Sequence, residues 1–120
     1  MAEAAQSEIG PDPSLLLVDD DAFVLKSAAR LLRLLGMAVT VAGDGREALA
    51  LLGARRFGLV ISDLNMPGMS GWQLQARIAE QWPNTPVLLA TGYDTRALES
   101  SSTTLKGRVA LIDKPLRAEL

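Results

Sequence analysis

Five short apolar runs, separated by longer segments with helical periodicity, constrain the fold of this chain more than any other feature. The runs cover residues 15–18, 39–42, 59–61, 87–90 and 109–112. Runs of this length suit strands, and runs with little alternation between apolar and polar residues are typical of a parallel sheet covered on both faces. Val39, Thr40 and Val41 do alternate, which is typical of an edge strand. The five apolar runs therefore predict five strands.

The segments between the apolar runs predict helices. Their apolar residues recur three or four positions apart: Val24, Ala28, Leu31 and Leu35 in the first segment, Ala48, Leu49 and Leu52 in the second, and Leu74, Ile78 and Trp82 in the third. Such spacing places each set on one helical face. Gly36 suits the end of the first helix, Asp44 a cap for the second, and Pro83 a stop for the third. A fourth helix is expected around residues 95–106, although residues 100–104 are poor helix formers.

Regular alternation of strand and helix predicts an α/β fold with a doubly wound parallel sheet, because parallel neighbours need crossover connections that place helices on the faces. Five strands fit the order 2-1-3-4-5 of flavodoxin-like sheets. In such sheets ligands bind beyond the carboxyl ends of the strands, where the order reverses between strands 1 and 3. We therefore expect the functional residues directly after the strands.

Acidic residues stand at two of these strand ends. Asp19, Asp20 and Asp21 follow the first strand, and Asp63 ends the third. The predicted strand order brings Asp19, Asp20 and Asp63 together, although they are far apart in sequence. Three carboxylates in one cleft repel one another unless a cation or a proton neutralises them. Because all of these ligands are oxygen atoms, the sequence predicts a Mg²⁺ site.

Polar residues at two further strand ends suit phosphoryl chemistry. Thr91 ends the fourth strand, and Lys114 follows the fifth. Bound Mg²⁺ would balance the excess negative charge and favour an incoming phosphoryl group, with Lys114 and Thr91 contacting its other oxygens. Asp63 is then the expected nucleophile, because a carboxylate forms an acyl phosphate without a general base.

Each of these residues also has an ordinary structural explanation. An Asp pair after a strand can cap a helix, and Asp63, followed by Pro67 and Gly68, can open a turn. Thr91 can be a turn residue, and Lys114 can be a surface cation. Their joint placement at four strand ends favours the site.

Composition excludes several other chemistries. The chain has no Cys and no His, which excludes disulfides, thiolate nucleophiles, catalytic triads and imidazole-bound metals. A net charge of -2 gives no general attraction to nucleic acid. No apolar run approaches the roughly 18 residues of a membrane span, so a cytoplasmic protein is expected. Residues 1–13 combine acidic residues with two prolines, so we expect a flexible tail or linker ahead of a domain at residues 14–120.

Four segments in order along the chain are LLLVDDD, VISDLNMPGMSG, LLATGY and LIDKP. They resemble the motifs of the response-regulator receiver domain of two-component and phosphorelay signalling, and the resemblance runs from about Ser14 to the C-terminus. It implies that Asp63 accepts a phosphoryl group from the phosphohistidine of a sensor histidine kinase or phosphotransfer domain and is also a Mg²⁺ ligand. An output domain or partner protein would respond, and the domain itself would show at most slow self-dephosphorylation.

The resemblance also implies roles for the other strand-end residues. Asp20 matches the direct Mg²⁺ ligand, and Asp19 matches the acidic neighbour that reaches the metal through water. Asn65 matches the residue that contributes its backbone carbonyl to the metal. Thr91 matches the switch hydroxyl, and Lys114 matches the lysine that pairs with the phosphate. Because the chain has no histidine, the donor must be another protein, another domain or a small acyl phosphate.

The chain departs from the family pattern at two places. Leu111 stands where the family usually has Tyr or Phe, so a coupling between an aromatic ring and Thr91 is not assumed. Tyr93 is a candidate for screening the phosphorylated site from water. The chain also ends soon after Lys114, where the family has a fifth helix. We expect a domain truncated before or within that helix, such as the receiver segment of a hybrid kinase, or an apolar face that a partner, for example a second copy, covers.

Two other functions stay open. A Mg²⁺-dependent phosphatase of the haloacid dehalogenase type also forms an aspartyl phosphate. Such an enzyme needs a second acid two residues after the nucleophile, where this chain has Asn65, which cannot act as a general acid. A receiver-like module that works without phosphorylation is the other alternative, and Leu111 leaves room for it. Direct binding of the domain to nucleic acid or a membrane is not expected.

Overall fold

A computed structural model describes residues 14–91 and 109–113, with Thr91 and the last strand described through their backbone. The elements, in chain order, are β1 (Ser14–Val18), α1 (Ala22–Leu34), β2 (Ala38–Ala42), α2 (Gly45–Ala54), β3 (Leu59–Asp63), α3 (Gly71–Gln81), β4 (Val87–Thr91) and β5 (Val109–Asp113). All five predicted strands and the first three predicted helices are confirmed. The predicted tail at residues 1–13, the fourth helix at residues 95–106 and the position of a fifth helix lie outside the described residues.

The five strands form one parallel sheet in the order β2-β1-β3-β4-β5. This order confirms the predicted doubly wound topology and places the alternating strand β2 at an edge. Val18, the last residue of β1, is level with Ala42 of β2 on one side and with Ser62 of β3 on the other. The loops that leave β1 and β3 therefore start side by side, where the chain order reverses.

Each face of the sheet has its own apolar core, because successive strand residues point to opposite faces. Leu16 and Val18 of β1 pack with α2 and α3, and the buried residues of this core on those helices are Ala48, Leu52, Leu74 and Ile78. Leu15 and Leu17 point the other way and share a second core with Ala29 of α1. Every residue of β1 is buried, so β1 lies at the centre of the molecule.

Helix α1 packs on the sheet through a different face from the predicted one: of the predicted residues only Ala28 joins this second core, whereas Val24 and Leu31 line the cleft that also contains Asp19. Leu35 is 57% exposed, because the helix ends at Leu34 and Leu35 is already the C-cap, where helical spacing no longer applies. Gly36 follows with a φ of 95°, a left-handed conformation that glycine adopts without strain and that commonly ends a helix. The residues of α1 that pack on the sheet centre on Ala29, with Leu25 and Leu32 beside it.

Side-chain caps fix the starts of α2 and α3. The carboxylate of Asp44, the predicted cap, accepts a 2.8 Å hydrogen bond from the Glu47 amide, as a helix N-cap does. At α3 the Ser70 hydroxyl accepts from the Gln73 amide at 3.2 Å, and the Gln73 side chain accepts from the Ser70 amide at 2.9 Å. This capping box was not among the predicted features, although its Ser-x-x-Gln spacing is visible in the sequence.

Within residues 14–91 and 109–113, no helix has the length and apolar character needed to cross a membrane.

Candidate metal centre

The loop after β1 carries three consecutive aspartates with different surroundings. Asp19 is only 4% exposed, and its amide donates a 3.1 Å hydrogen bond to the carbonyl of Ala42 at the end of β2. Its Oδ1 accepts a 2.9 Å hydrogen bond from the Asp21 amide. Burying a carboxylate is costly unless polar partners or a cation compensate. Asp19 is therefore a buried acidic group whose position is fixed by hydrogen bonds.

Asp21 has a structural task. Its carboxylate accepts hydrogen bonds from the amides of Phe23 at 3.0 Å and Val24 at 3.2 Å, and so caps α1. The structural explanation of the aspartates as helix caps is thus correct for Asp21 alone among the three. Asp20, which is exposed, stands between the cap and the buried Asp19. The loop consequently keeps two carboxylates for a ligand while the third holds the helix.

Asp63, the last residue of β3, is half-buried and faces the same loop. The backbone around it is held on both sides: the Leu64 amide donates to the Ala90 carbonyl at 3.0 Å, and the Leu64 carbonyl accepts from the Gly71 amide at 2.8 Å. A Cβ on Gly71 would lie 2.4 Å from the Asp63 carbonyl oxygen and 2.8 Å from the Leu64 Cα. Only glycine lets α3 start this close to the acidic residue.

Asp19, Asp20 and Asp63 meet as the strand order predicts. One carboxylate oxygen from each lies within 4.8 Å of the other two. In octahedral Mg²⁺ coordination adjacent ligand oxygens are about 3.0 Å apart and opposite ones about 4.2 Å, so side-chain rotations that shorten these separations would bring the oxygens onto a common ion. The donors are all hard oxygens, and their number leaves positions for water and a phosphoryl oxygen, so the cluster fits Mg²⁺.

The wall of the site beside α1 is apolar. Asp19 and Asp63 line a cleft of about 370 Å³ together with Leu17, Ile61 and Ala90. Apolar surroundings weaken the screening of charge, so the mutual repulsion of the carboxylates and their attraction to a cation are both stronger here than in water.

The remaining predicted site residues are placed less completely. Asn65 lies in the exposed loop two residues after Asp63. Thr91 ends β4, one residue beyond Ala90, which is level with Asp63, and is itself level with Asp113 of β5. Leu111 lies within β5, level with Leu89. Lys114 and Tyr93 lie outside the described residues. The roles of Asn65, Thr91 and Lys114 therefore stay predictions.

Comparison with known proteins agrees with this fold. Residues 15–120 match the profile of the response regulator receiver domain. The response regulator protein FleR of Pseudomonas aeruginosa is 38% identical over 106 residues, 87% of this chain and 22% of FleR. The chemotaxis protein CheY4 of Vibrio cholerae is 31% identical, with a TM-score of 0.79, over 87% of this chain and 88% of that one.

A third match is to a protein whose structure was solved with ligands. The response regulator protein TrrA of Thermotoga maritima, solved in complex with Mg²⁺ and BeF, is 26% identical, with a TM-score of 0.75 over 87% of this chain and 88% of that one. The chain spans only 18% to 23% of the length of three curated relatives that it matches.

Proposed function

Because the chain belongs to the response regulator receiver domain family, whose members are phosphoacceptor domains of two-component signalling, we propose that Asp63 is its phosphoryl acceptor and that Asp19, Asp20 and Asp63 hold Mg²⁺. The observation that carries this proposal is the convergence of the three carboxylates within 4.8 Å at the point where the strand order reverses. Such a cluster is unfavourable without a cation, and a phosphoryl group needs a cation to approach a carboxylate.

The transfer itself needs little from the protein beyond position and charge. An Asp63 oxygen attacks the phosphorus of a phosphohistidine, the new P–O bond forms as the P–N bond breaks, and the electron pair returns to the imidazole nitrogen. Asp63 attacks as a carboxylate, so no general base is required. When bound, Mg²⁺ neutralises charge on the phosphoryl oxygens. The hydrogen bonds of Leu64 to Ala90 and Gly71 hold the acceptor at the strand end.

Asn65, Thr91 and Lys114 complete the proposed site. The Asn65 backbone carbonyl is a further oxygen ligand for the metal, which its position two residues after Asp63 supports. The Thr91 hydroxyl and the Lys114 ammonium contact the phosphoryl oxygens once the group is in place. Thr91 is level with Asp113 in the sheet, and Asp113 directly precedes Lys114, which supports this assignment. New contacts of these two residues with the phosphoryl oxygens are the physical cause of the switch.

Donor and output are separate from the domain. The chain has no histidine, so the phosphoryl group comes from a sensor histidine kinase, a phosphotransfer domain or a small acyl phosphate. The output belongs to another domain or a partner protein, which the much greater length of the relatives supports. We place the protein in the cytoplasm and assign it no direct contact with nucleic acid. Hydrolysis of the acyl phosphate is slow, with Tyr93 as a partial screen against water.

Incubation with acetyl phosphate and Mg²⁺ tests the acceptor directly. Intact mass spectrometry should show the addition of one phosphoryl group, removable by hydroxylamine, and no addition in Asp63→Asn. Asp21→Asn is the matched control, because Asn caps a helix as well as Asp does and Asp21 is not in the cluster. This control should be modified like the native chain. A phosphoryl adduct that persists in Asp63→Asn would rule out Asp63 as the acceptor.

A module that works without phosphorylation is the second candidate, and Leu111 in β5 is the observation that favours it. Mg²⁺ binding with no adduct from acetyl phosphate or a phosphorylated donor domain would support this candidate over the first.

A further inference from the structure

A second cleft lies at the opposite end of the sheet from the acidic cluster. It runs between the end of α2 and the segment that follows α3, and its described lining includes Arg55, Arg56, Phe57, Trp82, Asn84 and Thr85. These residues directly precede β3 and β4, so the cleft lies at the amino ends of the parallel strands. We name this feature the basic cleft. Its described lining contains no residue of the proposed phosphoryl site.

Charge and aromatic surface are combined in the basic cleft. Arg55 and Arg56 are both exposed, and none of the described residues that line the cleft is acidic. The Arg55 guanidinium carbon lies 5.0 Å from the centre of the Phe57 ring, within the range of a cation–π contact. Trp82 is half-buried and adds an aromatic surface. Such a site suits a short acidic peptide segment with apolar residues.

The chain has a segment of this chemistry directly before Ser14 in the sequence. Residues 1–13 carry Glu3, Glu8 and Asp12 with no Lys or Arg, and they include Ile9 and two prolines. The 14 acidic and 12 basic residues of the whole chain thus leave 11 acidic and 12 basic residues in residues 14–120. The acidic segment and the remainder of the chain therefore have charges of opposite sign.

Ser14, the residue that directly follows the acidic segment, contacts a residue of the basic cleft. β1 begins at Ser14, whose hydroxyl donates a 3.4 Å hydrogen bond to the Arg56 carbonyl and whose carbonyl accepts a 2.9 Å hydrogen bond from the Gly58 amide. In an extended chain Asp12 reaches about 7 Å from Ser14 and Glu8 about 20 Å. A short tether of this kind gives a high effective concentration, so weak contacts suffice.

We propose that the acidic segment, residues 1–13, docks in the basic cleft of its own chain, with its carboxylates against Arg55 and Arg56. The contact is electrostatic and partly exposed, so the docked state exchanges with an undocked one and is weakened by salt. We assign the segment of the same chain as the occupant because Ser14 contacts Arg56 directly and so tethers that segment to the cleft. A second copy or a separate partner has no such tether.

Trp82 is a built-in probe of this docking, and Trp72 is its internal control because it does not line the cleft. The full chain is compared with a neutralised variant, Glu3→Gln, Glu8→Gln and Asp12→Asn. In ¹H–¹⁵N spectra, neutralisation should move the indole resonance of Trp82 and leave that of Trp72 in place. In a Trp72→Phe background, the acrylamide quenching constant of Trp82 should rise about twofold. High salt should produce the same rise in the full chain and none in the neutralised variant.

Charge variants of the cleft sharpen the test. Arg55→Glu with Arg56→Glu should release the segment, and adding Glu8→Lys with Asp12→Lys should restore the protection of Trp82. Arg46→Gln with Arg77→Gln is the matched control, since these arginines line a different cleft, near the loop after β3. Equal Trp82 signals in the full and neutralised chains would overturn the proposal. So would a Trp82 shift that grows with protein concentration, because the occupant would then be a second copy.

Discussion

The two rims of this parallel sheet have opposite chemistry. Asp19, Asp20 and Asp63 gather at the carboxyl rim, whereas Arg55 and Arg56 lie at the amino rim. All five strands run in one direction, so residues that follow strands can meet only at the first rim and residues that precede them only at the second. A net charge of -2 conceals this separation. The comparison shows that strand direction, rather than total charge, decides where charged groups can act.

Two glycines, one near each rim, give the largest expected contrast. Gly71→Ala should lower the free energy of unfolding by about 3 kcal/mol and impair phosphorylation, because the new Cβ collides with the Asp63 carbonyl and must displace backbone. Gly53→Ala in α2 should raise it by up to about 1 kcal/mol, because nothing lies within 4 Å of its Cβ. Urea denaturation measures both. Equal effects at the two positions would show that the start of α3 is not closely packed against the end of β3.

Mg²⁺ should stabilise the carboxyl rim. At a Mg²⁺ concentration a hundredfold above its Kd, the free energy of unfolding should rise by about 2.7 kcal/mol. Asp20→Asn should weaken Mg²⁺ binding at least about tenfold and so remove about 1.4 kcal/mol of that gain. Without Mg²⁺ the same variant should be more stable than the native chain by about 1 kcal/mol, because one repulsive carboxylate is gone.

The control for the metal is Arg55→Gln at the other rim, which should leave the gain from Mg²⁺ unchanged. Thermal or urea unfolding at several Mg²⁺ concentrations provides the comparison. If Asp20→Asn gains as much stability from Mg²⁺ as the native chain does, the three carboxylates do not form the metal site.

The aspartates in the loop after β1 should also differ in what their substitution changes, stability or phosphorylation. Asp21→Ala should cost about 1 kcal/mol of stability, because it removes the acceptor for the Phe23 and Val24 amides, while Asp21→Asn should cost little. Chemical denaturation measures the loss, and phosphorylation by acetyl phosphate should persist in both variants. A loss of phosphorylation in Asp21→Asn would mean that Asp21 belongs to the site and not only to the helix.

The smallest expected effect is at the amino rim. Arg55→Gln should cost about 0.5 kcal/mol, the size of an exposed cation–π contact with Phe57. Arg55→Lys should restore part of it. Both can be compared with Arg56→Gln, which changes the neighbouring exposed arginine and serves as a matched control. An equal loss of stability for Arg55→Gln and Arg56→Gln would show that the contact of Arg55 with the Phe57 ring does not stabilise the protein.

Much of the carboxyl rim could be predicted because it depends on patterns that are visible in short stretches of sequence. Apolar runs mark strands, and acids that directly follow them must lie at one edge of a parallel sheet. Strand bounds nevertheless differ by one residue in places: β1 begins at Ser14 and β2 at Ala38, each one residue before the predicted start. The difference arises because pairing with neighbouring strands, rather than hydrophobicity, decides where a strand begins.

Other features depend on contacts that sequence spacing does not reveal. The assignment of the α1 cap to Asp21 and not to Asp19 or Asp20 follows from where the chain turns after β1. Arg55 and Arg56 are exposed after the end of α2, yet they form a cleft with Trp82, which follows α3 and is distant in sequence. The Ser70 cap was not predicted, although the Ser-x-x-Gln spacing that indicates it is present in the sequence.

The central claim is that Asp63 is a phosphoryl acceptor served by a Mg²⁺ site at the carboxyl rim. Beryllium fluoride, which takes the place of a phosphoryl group on a carboxylate, tests acceptor and metal together when its binding is followed by ¹⁹F NMR. Bound fluoride resonances are expected in the native chain and in Asp21→Asn only when Mg²⁺ is present, and none are expected in Asp63→Asn. Bound resonances in Asp63→Asn, or binding by the native chain without any divalent cation, would contradict this claim.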